Sequence, residues 1–315
     1  MKTKVFVDGS EGTTGLRIHE RFSKRNDIEL LTISSELRKD PAERKRLINA
    51  SDVTFLCLPD AAAEESVSFV ENEDTVIIDT STAHRTADGW AYGFAELSDG
   101  HRKAIKNGKR IAVPGCHATG FIALVYPMIA GGFMPADYPV SAFSLTGYSG
   151  GGKKMIAAYE AEDKTDDLYA PREYALSQQH KHLKEMKKIT GLLRTPLFSP
   201  IVDDYYSGMI VTVPLFTDML KNASVETVRE YFVEHYMGQR FITIADADDK
   251  TASSGFLSGN QLSGYDGLKI YITGNEERIL LSSQFDNLGK GASGAAMQCM
   301  NIVLGCDEAE GLNLF

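Results

Sequence analysis

The sequence predicts an α/β chain in which a doubly wound parallel sheet is joined to a second, α+β unit built on a mixed sheet. Three observations carry this expectation. Val5-Phe6-Val7 runs straight into the glycine loop Asp8-Gly9-Ser10-Glu11-Gly12-Thr13-Thr14-Gly15 and then into a helical pattern. Short apolar runs alternate with helix-like segments as far as Val113, the order of repeated β-α units. Beyond Cys116 the alternation gives way to apolar strands among longer loops.

A length of 315 residues suits two units, since single domains run to roughly 100–200 residues. A hydrophobic content of 43% supplies their cores. The net charge of −10, with no long Lys/Arg run, argues against a nucleic-acid or membrane-surface partner. Cys57, Cys116, Cys299 and Cys306 show neither C-x-x-C nor Cys/His ligand spacing. No metal site or disulfide framework is therefore expected, and a reducing, cytoplasmic setting fits. Met1-Lys2-Thr3-Lys4 lacks the features of a signal peptide. The longest apolar stretch, Phe121 to Met134, is broken by Pro127 and Gly131-Gly132 and is too short to span a bilayer.

Taken in order, the first strand, Val5 to Val7, precedes a helix expected over Leu16 to Phe22. Glycines at 9, 12 and 15 bring backbone N–H groups and a helix N-terminus toward a pyrophosphate, with Ser10, Thr13 and Thr14 in the same loop. G-x-x-G-x-x-G is looser than the strict dinucleotide fingerprint, and glycine loops also make ordinary turns. The next strand, Ile28 to Ile33, ends in Ser34-Ser35 where an NAD site prefers an acidic residue, and Arg38 and Lys39 follow. A hydroxyl and a guanidinium suit a 2′-phosphate, so NADP is favoured, although a solvated loop explains either cation alone. Val53 to Leu58 is a strand, Asp60 is expected to cap a helix over Ala61 to Val70, and Thr75 to Ile78 is a further strand. Ligands of such sheets lie beyond the carboxyl ends of the strands, which places Pro59 and Ser81 at the cofactor edge. Arg85 follows them; a guanidinium there suits a phosphate or carboxylate, and a surface ion pair is its ordinary explanation.

The strand Arg110 to Val113 leads into Pro114-Gly115-Cys116-His117-Ala118-Thr119-Gly120 and a buried helix expected from Phe121 to Ile129. A cysteine at a strand-to-helix turn meets unpaired N–H groups that favour its thiolate. The plainer alternative is a packed small hydrophobe. Further strands are expected over Val140 to Thr146, Met209 to Val213 and Lys269 to Thr273. Between the first of these and a helix lies a second glycine loop containing Gly150 and Gly151, suited to the nicotinamide end of a cofactor, to a substrate phosphate, or to a tight turn. Gln178 to Met186 holds His180, His182 and Glu185. On a helix His182 and Glu185 share a face, so the carboxylate would orient an imidazole. Histidines two apart do not face one metal, so acid–base chemistry is expected here, against a solvated polar helix. The last helix, ending near Leu304, is expected to return to the first unit, giving a dinucleotide-binding domain of residues 1–115 and 290–315 and a catalytic and oligomerisation domain of residues 116–289.

A thiolate beside a nicotinamide points to acyl transfer followed by hydride transfer. Cys116 would attack an acyl phosphate, His180 would move the proton of the resulting adduct, and N–H groups after Cys116 would hold the oxyanion. The motifs Gly9-x-x-Gly12-x-x-Gly15, Pro114-Gly115-Cys116-His117-Ala118-Thr119, Gln179-His180-Lys181-His182-x-x-Glu185 and Asn287-Leu-Gly-Lys-Gly-Ala-Ser-Gly, in this order, resemble the N-acetyl-γ-glutamyl-phosphate reductase family in its shorter length class. The resemblance covers nearly the whole chain. It implies NADPH-dependent reduction of N-acetyl-γ-glutamyl phosphate to N-acetylglutamate 5-semialdehyde, with release of phosphate, in arginine biosynthesis. It also implies Cys116 as nucleophile, His180 as acid–base, Glu185 as its support, His182 beside the substrate and Asn287 beside the cofactor. Ser81-Thr-Ala-His-Arg85 matches an arginine that holds the phosphate in related semialdehyde dehydrogenases. One departure is His117-Ala118, where the family's longer class commonly has Tyr-Pro. Two alternatives remain: an aspartate-semialdehyde dehydrogenase, against which the His180-x-His182 cluster argues, and a non-catalytic dinucleotide-binding sensor. A homodimer or homotetramer is expected, because a broad sheet in the second domain commonly buries its face against a partner subunit.

Overall fold

The computed structural model describes residues 2–23 and 25–315; Met1, part of the N-terminal stretch considered above, lies outside them. The chain forms two units, Met1–Gly115 with Ala292–Leu312, and Cys116–Gly291 with Asn313–Phe315.

The first unit contains strands β1 (Thr3–Asp8), β2 (Ile28–Leu31), β3 (Val53–Leu56), β4 (Val76–Asp79), β5 (Ala91–Tyr92) and β6 (Arg110–Ala112), all parallel, in the order β2-β1-β3-β4-β6-β5. The order reverses direction between β1 and β3, which opens a crevice at their carboxyl ends where such sheets take ligands. Helices α1 (Thr13–Phe22), α2 (Pro41–Ala50), α3 (Asp60–Ser68) and α4 (Asp99–Asn107) connect the strands. Asp40 starts α2 by accepting from Glu43 N at 2.8 Å ahead of Pro41. Helix α1 starts at Thr13, earlier than the apolar pattern suggests, because its first turn is polar and Gly12 sits at the N-cap.

Two expectations change here. Strand β2 ends at Leu31, short of Ile33. Asp60 does not cap its own helix: Pro59 holds the N-cap position, and the Asp60 carboxylate accepts from Thr82 N at 2.9 Å and from the Thr82 hydroxyl. The acid thereby ties the loop after β4 to the start of α3. A buried polar cluster joins β1 to the helices behind it. Arg44 of α2 donates to Asp8 at 3.1 Å and to Glu65 at 2.6 Å, while Ser66 of α3 donates to Asp8 at 2.8 Å. Burial raises the Asp8 pKa, and Arg44 opposes that rise.

The second unit begins with α5 (Cys116–Ala130), five residues before the expected helix start. It continues through β7 (Ser141–Gly147), α6 (Gly152–Tyr159), β8 (Arg172–Glu173), α7 (Leu183–Thr190), β9 (Leu197–Asp203), β10 (Met209–Phe216), α8 (Val225–His235), β11 (Ile242–Ile244), α9 (Lys250–Ser253), β12 (Leu268–Gly274) and β13 (Arg278–Phe285). The sheet is mixed, in the order β11-β12-β13-β10-β7-β9-β8, with β7 parallel to β9 and antiparallel to β10. A final helix, α10 (Gly294–Leu304), belongs to the first unit and shares one core with Val5, Ile18, Phe55 and Ile105 on the α1 and α4 face of that sheet. On the opposite face Leu47, Ile48 and Ala63 pack against Phe6, Leu56 and Ile77. Asn313–Phe315 join the second unit rather than the first: Asn313 exchanges backbone and carboxylate hydrogen bonds with Asp266 at 2.7 and 2.8 Å.

Helix α5 is apolar nearly all round, and Gly120 sets how closely it approaches the sheet. A Cβ there would lie 2.5 Å from Val211 Cγ2 and 2.7 Å from Ser283 Oγ and Phe285 Cε1. Ser283 Oγ donates to the Gly120 carbonyl at 3.2 Å. Overpacking costs about 1–3 kcal/mol, while alanine in a helix gains about 1 kcal/mol over glycine. Gly120→Ala is expected to destabilise on balance, seen as a lower urea midpoint at unchanged m-value; a raised midpoint would show that α5 moves aside without cost.

Candidate active site

Cys116 is the first residue of α5, so its side chain lies where unpaired N–H groups and the helix dipole favour a thiolate. A Cβ on Gly291 would lie 3.0 Å from Cys116 Cβ, so the backbone at Gly291 packs directly on the cysteine. The next residue, His117, is buried and hydrogen-bonded at both ring nitrogens: Nδ1 to Ser144 Oγ at 2.7 Å and Nε2 to the Tyr174 hydroxyl at 2.6 Å. Burial, with the nearby charges of His180 and Lys181, holds its pKa down at about 3. It is a neutral imidazole throughout the working range.

Around His117 stand His180, His182 and Phe198, with ring centroids 5.3, 5.6 and 5.3 Å away. His180 and His182 are 4.6 Å apart, edge to face. The histidines do not lie on a helix as expected. Helix α7 starts at Leu183, with His182 at its N-cap position and Glu185 buried in its first turn. His180 belongs to an irregular segment in which Ala175 and Gln178 have φ of +54° and +57°. Gln178 pins this segment to β9, donating to the Phe198 carbonyl at 2.9 Å and accepting from Phe198 N at 3.0 Å. His182 N–H donates to His180 Nδ1 at 3.2 Å, so the single proton of a neutral His180 sits on Nε2. Tyr174 ionises less readily than a free tyrosine, first through burial and then through the negative charge of Cys116.

The second glycine loop follows β7, with Gly150 and Gly151 in the short turn Tyr148–Gly151. Asn287 supports that loop: it donates to Ser149 Oγ at 3.1 Å and accepts from Gly208 N at 2.8 Å.

In the first unit, the loop after β1 is built by close approach. Gly9 has φ of +88°, and a Cβ on it would lie 2.4 Å from the Cys57 carbonyl oxygen; one on Gly15 would lie 2.4 Å from the Gly9 carbonyl oxygen. Both positions admit only glycine, and the loop lies flat at the N-terminus of α1, with no acidic residue in that helix's first turn. Ser10, Thr13 and Thr14 line the same turn. Arg38 pairs with Glu11 of the loop, both exposed, and Ser34 Oγ accepts from Leu37 N at 3.4 Å. Beyond β4, buried Asp79 accepts from Ser81 N and Oγ at 2.8 and 2.7 Å and bonds His84 Nδ1 at 2.7 Å; the His84 ring stacks on Trp90 at 4.0 Å. Arg85, expected to present its guanidinium to a phosphate, is buried, with Nε donating to the Val113 carbonyl at 2.9 Å and Nη2 to the Thr80 carbonyl at 2.9 Å. Those bonds make it an anchor of the loop. The thiol of Cys57, beside the same crevice, is pushed up to about 12 by burial. It stays protonated at neutral pH.

Ser144 and Tyr174 escaped the sequence reading, Gln178 entered it only as the edge of the histidine cluster, and His117 only as part of the cysteine motif with no role of its own. The one available signal for His117 was its place directly after a candidate nucleophile. Among the described residues no helix is long and apolar enough to cross a membrane, and no three His, Cys, Asp or Glu side chains converge as a metal would require.

Residues 116–287 match the family described as semialdehyde dehydrogenase, dimerisation domain, and residues 4–107 match semialdehyde dehydrogenase, NAD binding domain. The chain is 43% identical to N-acetyl-gamma-glutamyl-phosphate reductase 2 of Nostoc sp., over 99% of each chain. It is 43% identical to N-acetyl-gamma-glutamyl-phosphate reductase of Rhizobium meliloti, over 96% of this chain and 99% of the relative. For the Brucella ovis protein of that name the figures are 44%, 97% and 100%. Among solved structures, aspartate semialdehyde dehydrogenase II of Vibrio cholerae complexed with ASA shares the fold at a TM-score of 0.71 and 15% identity, covering 97% of this chain and 99% of that one. Aspartate semialdehyde dehydrogenase with NADP from Candida albicans does so at 0.64 and 16%, covering 96% and 99%.

The depressed pKa of His117 has a thermodynamic consequence. Below the unfolded-state value of 6.5 the unfolded chain binds a proton that the folded chain refuses, so this group's contribution to stability falls as pH falls from 6.5 toward about 3. From pH 7 to pH 5 the loss is about 2 kcal/mol. His117→Gln is expected to flatten that acid limb in urea unfolding at the two pH values; an unchanged slope would place the imidazole in solvent.

Proposed function

Because this chain belongs to the semialdehyde dehydrogenase family, and within it to the N-acetyl-gamma-glutamyl-phosphate reductases, we propose that it reduces N-acetyl-γ-glutamyl phosphate to N-acetylglutamate 5-semialdehyde through an acyl-enzyme on Cys116. It is an NADP-dependent oxidoreductase of arginine biosynthesis. The observation that carries the mechanism is Cys116 at the start of α5, in the same unit as a cluster of buried His117 and His182 with half-buried Tyr174 and His180.

The Cys116 thiolate attacks the acyl carbon, the bond to the phosphate oxygen breaks, and phosphate leaves with the electron pair, giving a thioester. N–H groups of the first turn of α5 are placed to hold the oxyanion. NADPH, when bound, would supply a hydride to the thioester carbon; the C–S bond then breaks, the aldehyde leaves and Cys116 is returned as thiolate. Gly9, Ser10, Gly12, Thr13, Thr14 and Gly15 are the residues to hold its pyrophosphate, since a Cβ at Gly9 or Gly15 would fill the cradle. Ser34 and Arg38 are assigned to its 2′-phosphate, with Glu11 as the partner Arg38 exchanges; Pro59 and Ser81 line the same strand ends. Gly150 and Gly151 are assigned to the second unit's contact with cofactor or substrate, with Asn287 shaping their loop.

His180 is the acid–base. Its Nδ1 accepts from the His182 N–H, so the neutral ring carries its proton on Nε2, from which it can donate to the oxygen of the adduct. His182 and Glu185, both buried, are assigned to its support. Arg85 enters this reading as the anchor of the Ser81 to Arg85 loop. The chain associates with its own copies as a homodimer or homotetramer through the sheet face opposite α5, where Phe143, Leu197, Phe216 and Leu280 are exposed on one side of the sheet. A cytoplasmic location suits its four free cysteines.

The test is the reverse reaction with NADP⁺ and phosphate. N-acetylglutamate semialdehyde is expected to be oxidised in strong preference to aspartate semialdehyde, and Cys116→Ser to abolish turnover while NADPH binding persists; a preference for the aspartate compound, or substantial turnover by the serine variant, would defeat the reading. For the acid–base assignment, His180→Asn is expected to lower kcat far more than His182→Asn, and the opposite order would move the role to His182.

A further inference from the structure

His117 belongs to none of the roles assigned above, yet both of its ring nitrogens are engaged beside the nucleophile. A neutral imidazole has one proton, so one nitrogen donates and the other accepts. The direction is decided by Ser144. Its hydroxyl is buried in β7, and His117 Nδ1 is its hydrogen-bond partner among the described residues. If His117 donated from Nδ1, the fully buried Ser144 O–H would lose the one acceptor it has among the described residues, a loss comparable to the bond gained. Ser144 therefore donates to Nδ1, the imidazole proton lies on Nε2, and Nε2–H donates to the Tyr174 oxygen at 2.6 Å. The phenol's own proton is then turned away from His117. Tyr174 reaches this point from β8's end, where its backbone N–H is fixed to the Pro200 carbonyl at 3.0 Å.

Resting on the reading of Cys116 as nucleophile, we propose that His117 is a positioning residue: it relays the Ser144 hydrogen bond through a neutral, Nε2-protonated ring, so that the Tyr174 O–H is presented as a donor to the oxygen of the acyl group on Cys116. The groups facing this chain are Cys116 before it, Tyr174 beside it, and His180, Lys181 and His182 from the segment leading into α7. All the charge that His180 and Lys181 bring is positive, which reinforces the neutral form of the ring. The arrangement needs no proton to change owner; it orders three donors in one direction and leaves the last one open.

The proposal is tested on the full chain by two independent measurements. Nitrogen-15 shifts of the His117 ring at pH 7 should show the Nε2-protonated neutral tautomer; an Nδ1-protonated ring would overturn the relay. In the reverse assay Tyr174→Phe and His117→Phe should each lower kcat by about tenfold or more, and the double variant should be no slower than the slower single one. Losses that multiply in the double variant would overturn it. His117→Gln, whose amide reaches the Nε2 position, should retain more kcat than His117→Asn, whose amide reaches only toward Ser144; the opposite order would also overturn it, and this pair serves if the phenylalanine variant does not fold. A separate failure of the nucleophile reading would appear as turnover by Cys116→Ser, with the ring tautomer unaffected.

Discussion

The catalytic unit depends on one act of burial. Helix α5 has almost no polar face, so it is stable only when covered, and the cover is the sheet face formed by β10 and β13. Gly120 removes the side chain that would keep helix and strands apart, and the Ser283 hydroxyl fastens the Gly120 carbonyl at that distance. Once the helix is seated, the position of its first residue is no longer free. Cys116 is placed by packing several residues away, with Gly291 closing on it from the other side. His117 is carried inward by the same seating and finds Ser144 and Tyr174 as partners, which a solvent-facing histidine would not require.

In the first unit the corresponding constraint is close backbone approach. Gly9 and Gly15 allow the loop after β1 to lie against the Cys57 carbonyl and against itself, while Arg44 and Ser66 secure the Asp8 carboxylate just before the loop begins. The two units thus set their thiols in contrasting surroundings. Burial, and with it the carboxylates of Asp79 and Asp8, resists ionisation of Cys57, against a hydrogen bond with Thr80 that favours it. Cys116 sits at a helix start, where the field has the opposite sign.

The parts of the fold set by short-range pattern were legible: the parallel first sheet, the mixed second sheet, the glycine loop and the cysteine turn. Helix starts were less so, because polar first turns such as Thr13-Thr14 and Cys116-His117 do not show the apolar periodicity by which helices are recognised. Asp60 looked like a cap and instead receives Thr82, since a carboxylate at a helix start serves whichever donor the neighbouring loop brings. The histidine cluster was visible as composition, but its geometry depends on Gln178 imitating a strand partner for Phe198. The Ser144–His117–Tyr174 chain joins residues 27 and 57 positions apart in sequence. No local pattern announces such a contact. Arg85 was legible as a charge beside the strand ends, but not its two bonds to carbonyls of its own unit, which depend on how the loop folds.

The place of α10 bears on the order in which the molecule comes into being. Its residues Ala295, Met297, Cys299 and Met300 complete the layer that covers Val5, Val53 and Ile78. The strands of the second unit all lie between those two parts of the chain. The core on that face of the first sheet therefore closes only after every strand of the second unit has been synthesised.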